Sequence, residues 1–257
     1  MNRFAKLLEK LLFTPSRNAK IVAMAEYFEN TPDPDRGFAL GAITRDLSLN
    51  NLKPTQLRTL TKSRVDPELF DMSYDYVGDM AETISLIWPK HTNHVPEKQR
   101  LPQLGELISA LQTKSKIALQ TYVTELLDCA SVTERWAIIK MVTGGLRVGV
   151  SARLAKTSLA EYSGKDLTEI EKIWHGIAVP YTELFLWLDG LADRPCIAPD
   201  QIFHPLMLSN PIDAQHDFDC LNPVDYEAEW KWDGIRVQLL LNAFAISETA
   251  GKHPEKH

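Results

Sequence analysis

The chain has 257 residues, 44% of them hydrophobic, and a formal charge of -6 at pH 7. That length allows one large domain or two modest ones with a sizeable core. The acidic balance argues against a protein that simply coats nucleic acid, because such affinity comes from cations displacing condensed counterions.

The chain opens on Met1-Asn2-Arg3-Phe4-Ala5-Lys6, an amphipathic start rather than a secretory signal, and no apolar run is long enough to cross a bilayer. No membrane association is expected, and the cytoplasm is the expected location. Phe4, Leu7, Leu8, Leu11 and Leu12 recur at helical spacing, and after the break at Pro15 so do Ile21, Met24, Ala25 and Phe28. The stretch Pro32 to Gly37 reads as a turn before a third helical segment around Phe38 to Leu47. Leu119, Tyr122, Val123, Leu126 and Leu127 form a further apolar stripe. Ser131 with Glu134 offers a capping box for a helix from Thr133 to about Val142. Others start near Ser151 and near Asp166, the latter with Glu169 as capping partner, and a last one covers Tyr181 to Leu188. Trp136 and Trp174 sit on apolar helical faces and are expected in the core. No fixed period recurs, so one compact helical domain is expected rather than a solenoid.

After Asp189, Pro195, Pro199, Pro205, Pro211 and Pro223 rule out a long helix and mark a linker into a second domain. Tyr226 to Lys231 and Arg236 to Leu241 then read as two strands of a β-hairpin around Asp233-Gly234. Cys129, Cys196 and Cys220 are too far apart for a disulfide framework or a zinc knuckle, and His91 and His94 lack companions that would complete a metal site. Between Arg135 and Lys172 the cations Arg135, Lys140, Arg147, Arg153, Lys156, Lys165 and Lys172 outnumber the acids, which makes this the place for any DNA surface.

The sharpest signal is Glu229-Trp230-Lys231-Trp232-Asp233-Gly234-Ile235-Arg236, a lysine at a strand end before a glycine turn with a carboxylate and a guanidinium close by. These residues resemble the nucleotidyltransferase motif of ATP-dependent DNA ligases, RNA ligases and capping enzymes, and the flanking tryptophans resemble the bacterial DNA ligases. The resemblance implies that Lys231 attacks the α-phosphorus of ATP and carries AMP, with Mg2+ neutralising the phosphates. It further implies that Glu229 accepts a hydrogen bond from the adenine amino group and that Arg236 binds the nucleotide. A neutral amine is the nucleophile in such a step, so the site must favour deprotonation.

A second segment, Thr143-Gly144-Gly145-Leu146-Arg147-Val148-Gly149-Val150 with the helix after it, is similar to a joint between two helices in the DNA-binding domain of the same ligases. Glycines let backbone N-H groups approach phosphates at a helix start. The resemblance accordingly assigns Gly144, Gly145, Arg147 and Gly149 to DNA contact. The segments Thr14 to Asn18 and Pro32 to Gly37 also look like this branch. The expectation is a mainly α protein: a compact multi-helix DNA-binding domain over residues 1–195, then a linker and an incomplete α+β nucleotidyltransferase segment with a β-hairpin over 196–257. The later motifs of that family do not follow Arg236, so a truncated or frame-disrupted ligase is expected, inactive or partial. It would act on nicked duplex DNA in repair, recombination or replication, as a monomer, with ATP and Mg2+. The alternatives are a non-catalytic duplex-binding module derived from a ligase and a helical protein-interaction domain.

Overall fold

The computed structural model describes residues 1–49, 52–89 and 101–198 and, beyond them, 212–213, 216–219, 221–227 and 229–230. Twelve α-helices occur among the described residues: α1 (Asn2–Phe13), α2 (Arg17–Asn30), α3 (Asp35–Thr44), α4 (Pro54–Lys62), α5 (Pro67–Val77), α6 (Met80–Ile87), α7 (Leu104–Thr113), α8 (Lys116–Cys129), α9 (Val132–Val142), α10 (Ala152–Ser163), α11 (Leu167–Ile173) and α12 (Thr182–Leu188). Two compact units result. The first is Met1–Ile170 with Ile177–Pro195, and the second draws on Glu171–Gly176 and the described residues from Cys196 onward.

Caps written in the sequence fix most of the helix starts. Ser16, Ser115, Ser131 and Ser151 each accept a backbone N-H with the side chain, and at α9 Glu134 returns the bond to Ser131 N-H at 3.0 Å, completing the expected capping box. Asp66 and Asp79 do the same for α5 and α6. On α1, Phe4, Leu7, Leu8 and Leu11 are buried, whereas Leu12 is 43% exposed and falls outside the stripe. The third helix starts at Asp35 rather than near Phe38, so Asp35 to Gly37 belong to it and not to the expected turn; the Asp35 carboxylate accepts the N-H groups of Leu104 and Gly105 at 3.1 and 2.9 Å and ties the start of α3 to that of α7. Trp174 is buried, but Trp136 is only half-buried.

In the first unit α2 packs along α10, α1 on α2 and α9, and α6 on α9. Ala155, Ser158 and Leu159 are completely buried, giving α10 a flat small-residue face. One ionic cluster ties α3, α10 and α12 together. Arg36 donates to Asp33 at 2.9 and 2.6 Å, to Asp189 at 3.3 and 2.6 Å and to the Tyr162 hydroxyl at 2.9 Å, and it lies 4.3 Å above the Phe185 ring. Tyr162 in turn donates to Asp189. Nearby, the buried Tyr181 hydroxyl donates to Asp46 at 2.6 Å.

In the second unit the described residues form short turns, a 3-10 turn at Trp174–Gly176 and another at Pro223–Asp225. No strand occurs among the described residues. The expected hairpin is not supported: Tyr226, Glu227, Glu229 and Trp230 carry no regular structure, and Lys231 to Leu241 lie outside the described residues. Mixed polar and aromatic side chains that are exposed, as Tyr226 and Trp230 are, supply no apolar face to hold a two-stranded ribbon.

Candidate nucleic-acid interface

The glycine-rich joint connects α9 to α10, and its two halves do different work. At the first, Thr143 N-H bonds to Ile139 O at 3.0 Å, Gly144 N-H to Met141 O at 3.2 Å and Gly145 N-H to Lys140 O at 2.9 Å. Gly144 takes the left-handed conformation that such a helix end requires, at φ 68°. The N-H groups of Gly144 and Gly145 therefore close α9 and are already bonded.

The second half is extended and alternates. Leu146 and Val148 are buried, and Arg147 and Gly149, which alternate with them, are exposed, as the period of two in an extended chain dictates. Gly149 stands at φ 65°. Ser151 then caps α10, its side chain accepting Leu154 N-H at 3.2 Å and its carbonyl accepting Ala155 N-H at 3.0 Å. Behind the joint lies Lys20 of α2, nine-tenths buried, which donates to Val148 O at 2.9 Å and Gly149 O at 3.2 Å. A methyl group added at Gly149 would sit 2.6 Å from the Lys20 ammonium.

The run of basic residues proposed from sequence is thinned by the fold. Arg135 is buried and donates to Leu127 O at 2.7 Å and Trp88 O at 3.3 Å, so it braces the helices instead of facing solvent. Lys140 is paired with Asp79 at 2.5 Å, and Lys165 lies 5.6 Å over the Trp187 ring. Burial raises the Asp79 carboxyl, but the bonds from Lys140 and from Glu82 N-H outweigh it and hold it below the ordinary range. Arg147 and Arg153 stay exposed, with Lys156 half-buried.

Three cations near this surface were not singled out from the sequence. Arg17 is exposed one turn before Lys20 on α2. Arg45 is exposed and shares with Gly144, Leu146 and Lys140 a cavity of about 220 Å³. Lys20 itself had a signal: it occupies the same helical stripe as the buried Ala23, Met24 and Tyr27, where a lysine is out of place unless its head has a task.

Of the expected nucleotide site, Glu229 is exposed and Trp230 is 86% exposed, while Lys231, Gly234 and Arg236 lie outside the described residues. His91 and His94 lie outside them too. No group of three or more His, Cys, Asp or Glu side chains able to hold a metal occurs among the described residues. No helix among them is long and apolar enough to cross a membrane.

Residues 1–160 match the family model described as DNA ligase N terminus. The chain is also similar to a probable DNA ligase of Koribacter versatilis (strain Ellin345), 23% identical over 256 residues, which cover 93% of this chain and 42% of that protein.

Proposed function

Because this chain belongs to the DNA ligase N-terminus family, we propose that it grips nicked duplex DNA as the helical part of an ATP-dependent ligase. The glycine joint before α10 would face the phosphate backbone. What supports this reading is a single arrangement. Arg147 is exposed beside Gly149, at the start of a twelve-residue helix whose first N-H groups have no intrahelical acceptor. Contacts of this kind position a protein on duplex without reading sequence, which suits an enzyme that must act at any nick.

Ligation itself belongs to the same proposal. Lys231 would carry AMP, Glu229 and Arg236 would hold the nucleotide, and ATP and Mg2+ would be required, all on the resemblance of the motif around Lys231. The chain spans 42% of its probable-ligase relative, and the DNA-gripping role is what its described residues support best.

The test is fluorescence anisotropy on a nicked, 5′-phosphorylated duplex across a salt series. Binding is expected to weaken steeply with salt, and Arg147→Glu is expected to lower affinity about tenfold or more, since reversal replaces a phosphate contact with repulsion. Equal affinity of Arg147→Glu and the unaltered chain would remove the joint from the interface.

A further inference from the structure

Lys20 is a cation in a buried position. It is nine-tenths buried, its bonds run to two neutral carbonyls, and no carboxylate among the described residues forms an ion pair with it. Taking an ammonium out of water is costly unless charge or strong dipoles match it. Two carbonyls supply dipoles, and they leave one N-H and the full positive charge over.

The geometry of the peptide group turns this into a statement about the joint. In a trans peptide the N-H points opposite to the C=O, and the bonds on either side of Gly149 are trans. By drawing Val148 O and Gly149 O inward, Lys20 turns the N-H groups of Gly149 and Val150 outward. Neither N-H has an acceptor among the described residues. They follow one another through Gly149, at φ 65°, on the side of the joint away from the ammonium. The first turn of α10 adds its own free N-H groups and its positive dipole end. Gly144 and Gly145, by contrast, have their N-H groups bonded to α9.

We infer that Lys20 is the positioning residue of the joint: it clamps the Val148 and Gly149 carbonyls so that the Gly149 and Val150 N-H groups receive one phosphate of the DNA backbone. Its uncompensated charge, just behind them, favours that anion. The inference rests on the DNA-gripping reading and deepens it, dividing the joint into a half that ends α9 and a half that meets the phosphate. The absence of a side chain at Gly149 is then favoured by the backbone angle, and a β-carbon there would stand 2.6 Å from the ammonium and push it away from the joint.

Two measurements test it. In the 15N-labelled chain, hydrogen exchange at Gly149 and Val150 is expected to be fast and to slow at least tenfold when nicked duplex is added, while Gly144 and Gly145 are protected throughout. In parallel, Lys20→Met, which keeps the aliphatic stem, is expected to weaken duplex binding about tenfold and to abolish the protection at Gly149 and Val150, with Lys20→Arg restoring a large part of both. Unchanged affinity in Lys20→Met, or amides at 149 and 150 that are protected before DNA is added or exchange as fast with it, would overturn the inference. Failure of the unaltered chain to bind duplex at all would instead sink the DNA-gripping reading. The exchange measurement needs no variant, so it decides the matter even if Lys20→Met does not fold.

Discussion

Gly37→Ala is expected to destabilise the first unit by about 2 kcal/mol, although helix propensity alone favours the change. Replacing an interior helical glycine by alanine gains up to about 1 kcal/mol. The added methyl, however, would stand 1.5 Å from the carbonyl oxygen of Pro180 and 2.6 Å from its carbon. That neighbour is backbone and cannot swing aside, so α3 or the 177–181 segment must move, and overpacking of this kind costs about 1–3 kcal/mol or more. Packing wins by magnitude. For a unit of this size the deficit appears as a fall in Tm of roughly 4–8 °C. Gly145→Ala is the contrast: its nearest neighbour is the Thr143 hydroxyl at 3.3 Å, which a shift of a few tenths of an ångström relieves, and thermal melts should register almost nothing. A Gly37→Ala protein as stable as the parent would show that α3 does not press against Pro180.

Arg36→Met is expected to cost more, about 3–5 kcal/mol, because it leaves two carboxylates facing one another with their cation removed. The Arg36 side chain is 9% exposed and those of Asp33 and Asp189 are 24% and 19% exposed, so solvent takes over the lost bonds only in part. Arg36→Lys should rescue little, since one ammonium cannot reproduce a planar fork that meets two carboxylates, a hydroxyl and an aromatic face together. The cluster also sets an acid limit on stability. Burial raises the Asp189 carboxyl, but the bonds from Arg36 and Tyr162 and the charge of Arg36 outweigh it, leaving Asp189 below the ordinary range. A carboxyl depressed in the folded state contributes stability that is present above its unfolded pKa, about 3.9, and is lost as pH falls through the folded value. Urea melts of the parent should therefore lose stability below about pH 4, and in Arg36→Met that acid-dependent part should shrink. An identical pH profile in the two proteins would mean that the cluster does not carry it.

The helical architecture was legible wherever one signal acted locally. The Ser131 and Glu134 box, the helix start near Ser151 and the stripe Leu119, Tyr122, Val123, Leu126 and Leu127 depend on neighbours within two turns, and the structure has each of them, with Tyr122 alone of the stripe only half-buried. The tie between α3 and α7 left no local trace, because the partners of Asp35 are Leu104 and Gly105, about seventy residues away. The same reason hid the buried role of Arg135, whose acceptors include a carbonyl on the Trp88 side of the fold. At the interface, the exposure of Arg147 and Gly149 followed from the alternation Leu146, Arg147, Val148, Gly149. The assignment of all three glycines to one task did not allow for the carbonyls at the end of α9, which claim the first two N-H groups. Lys20 was missed because its partners lie 128 and 129 residues further on. Its place on a buried helical stripe was the only trace.

Hydroxyl-radical footprinting on a nicked duplex at saturating protein is the decisive measurement for the proposed grip on DNA, because the radical reads sugars along the minor groove. A protected stretch on both strands flanking the nick, fading as salt is raised, is expected. Uniform cleavage at protein concentrations that saturate any binding, or protection confined to duplex ends, would contradict it.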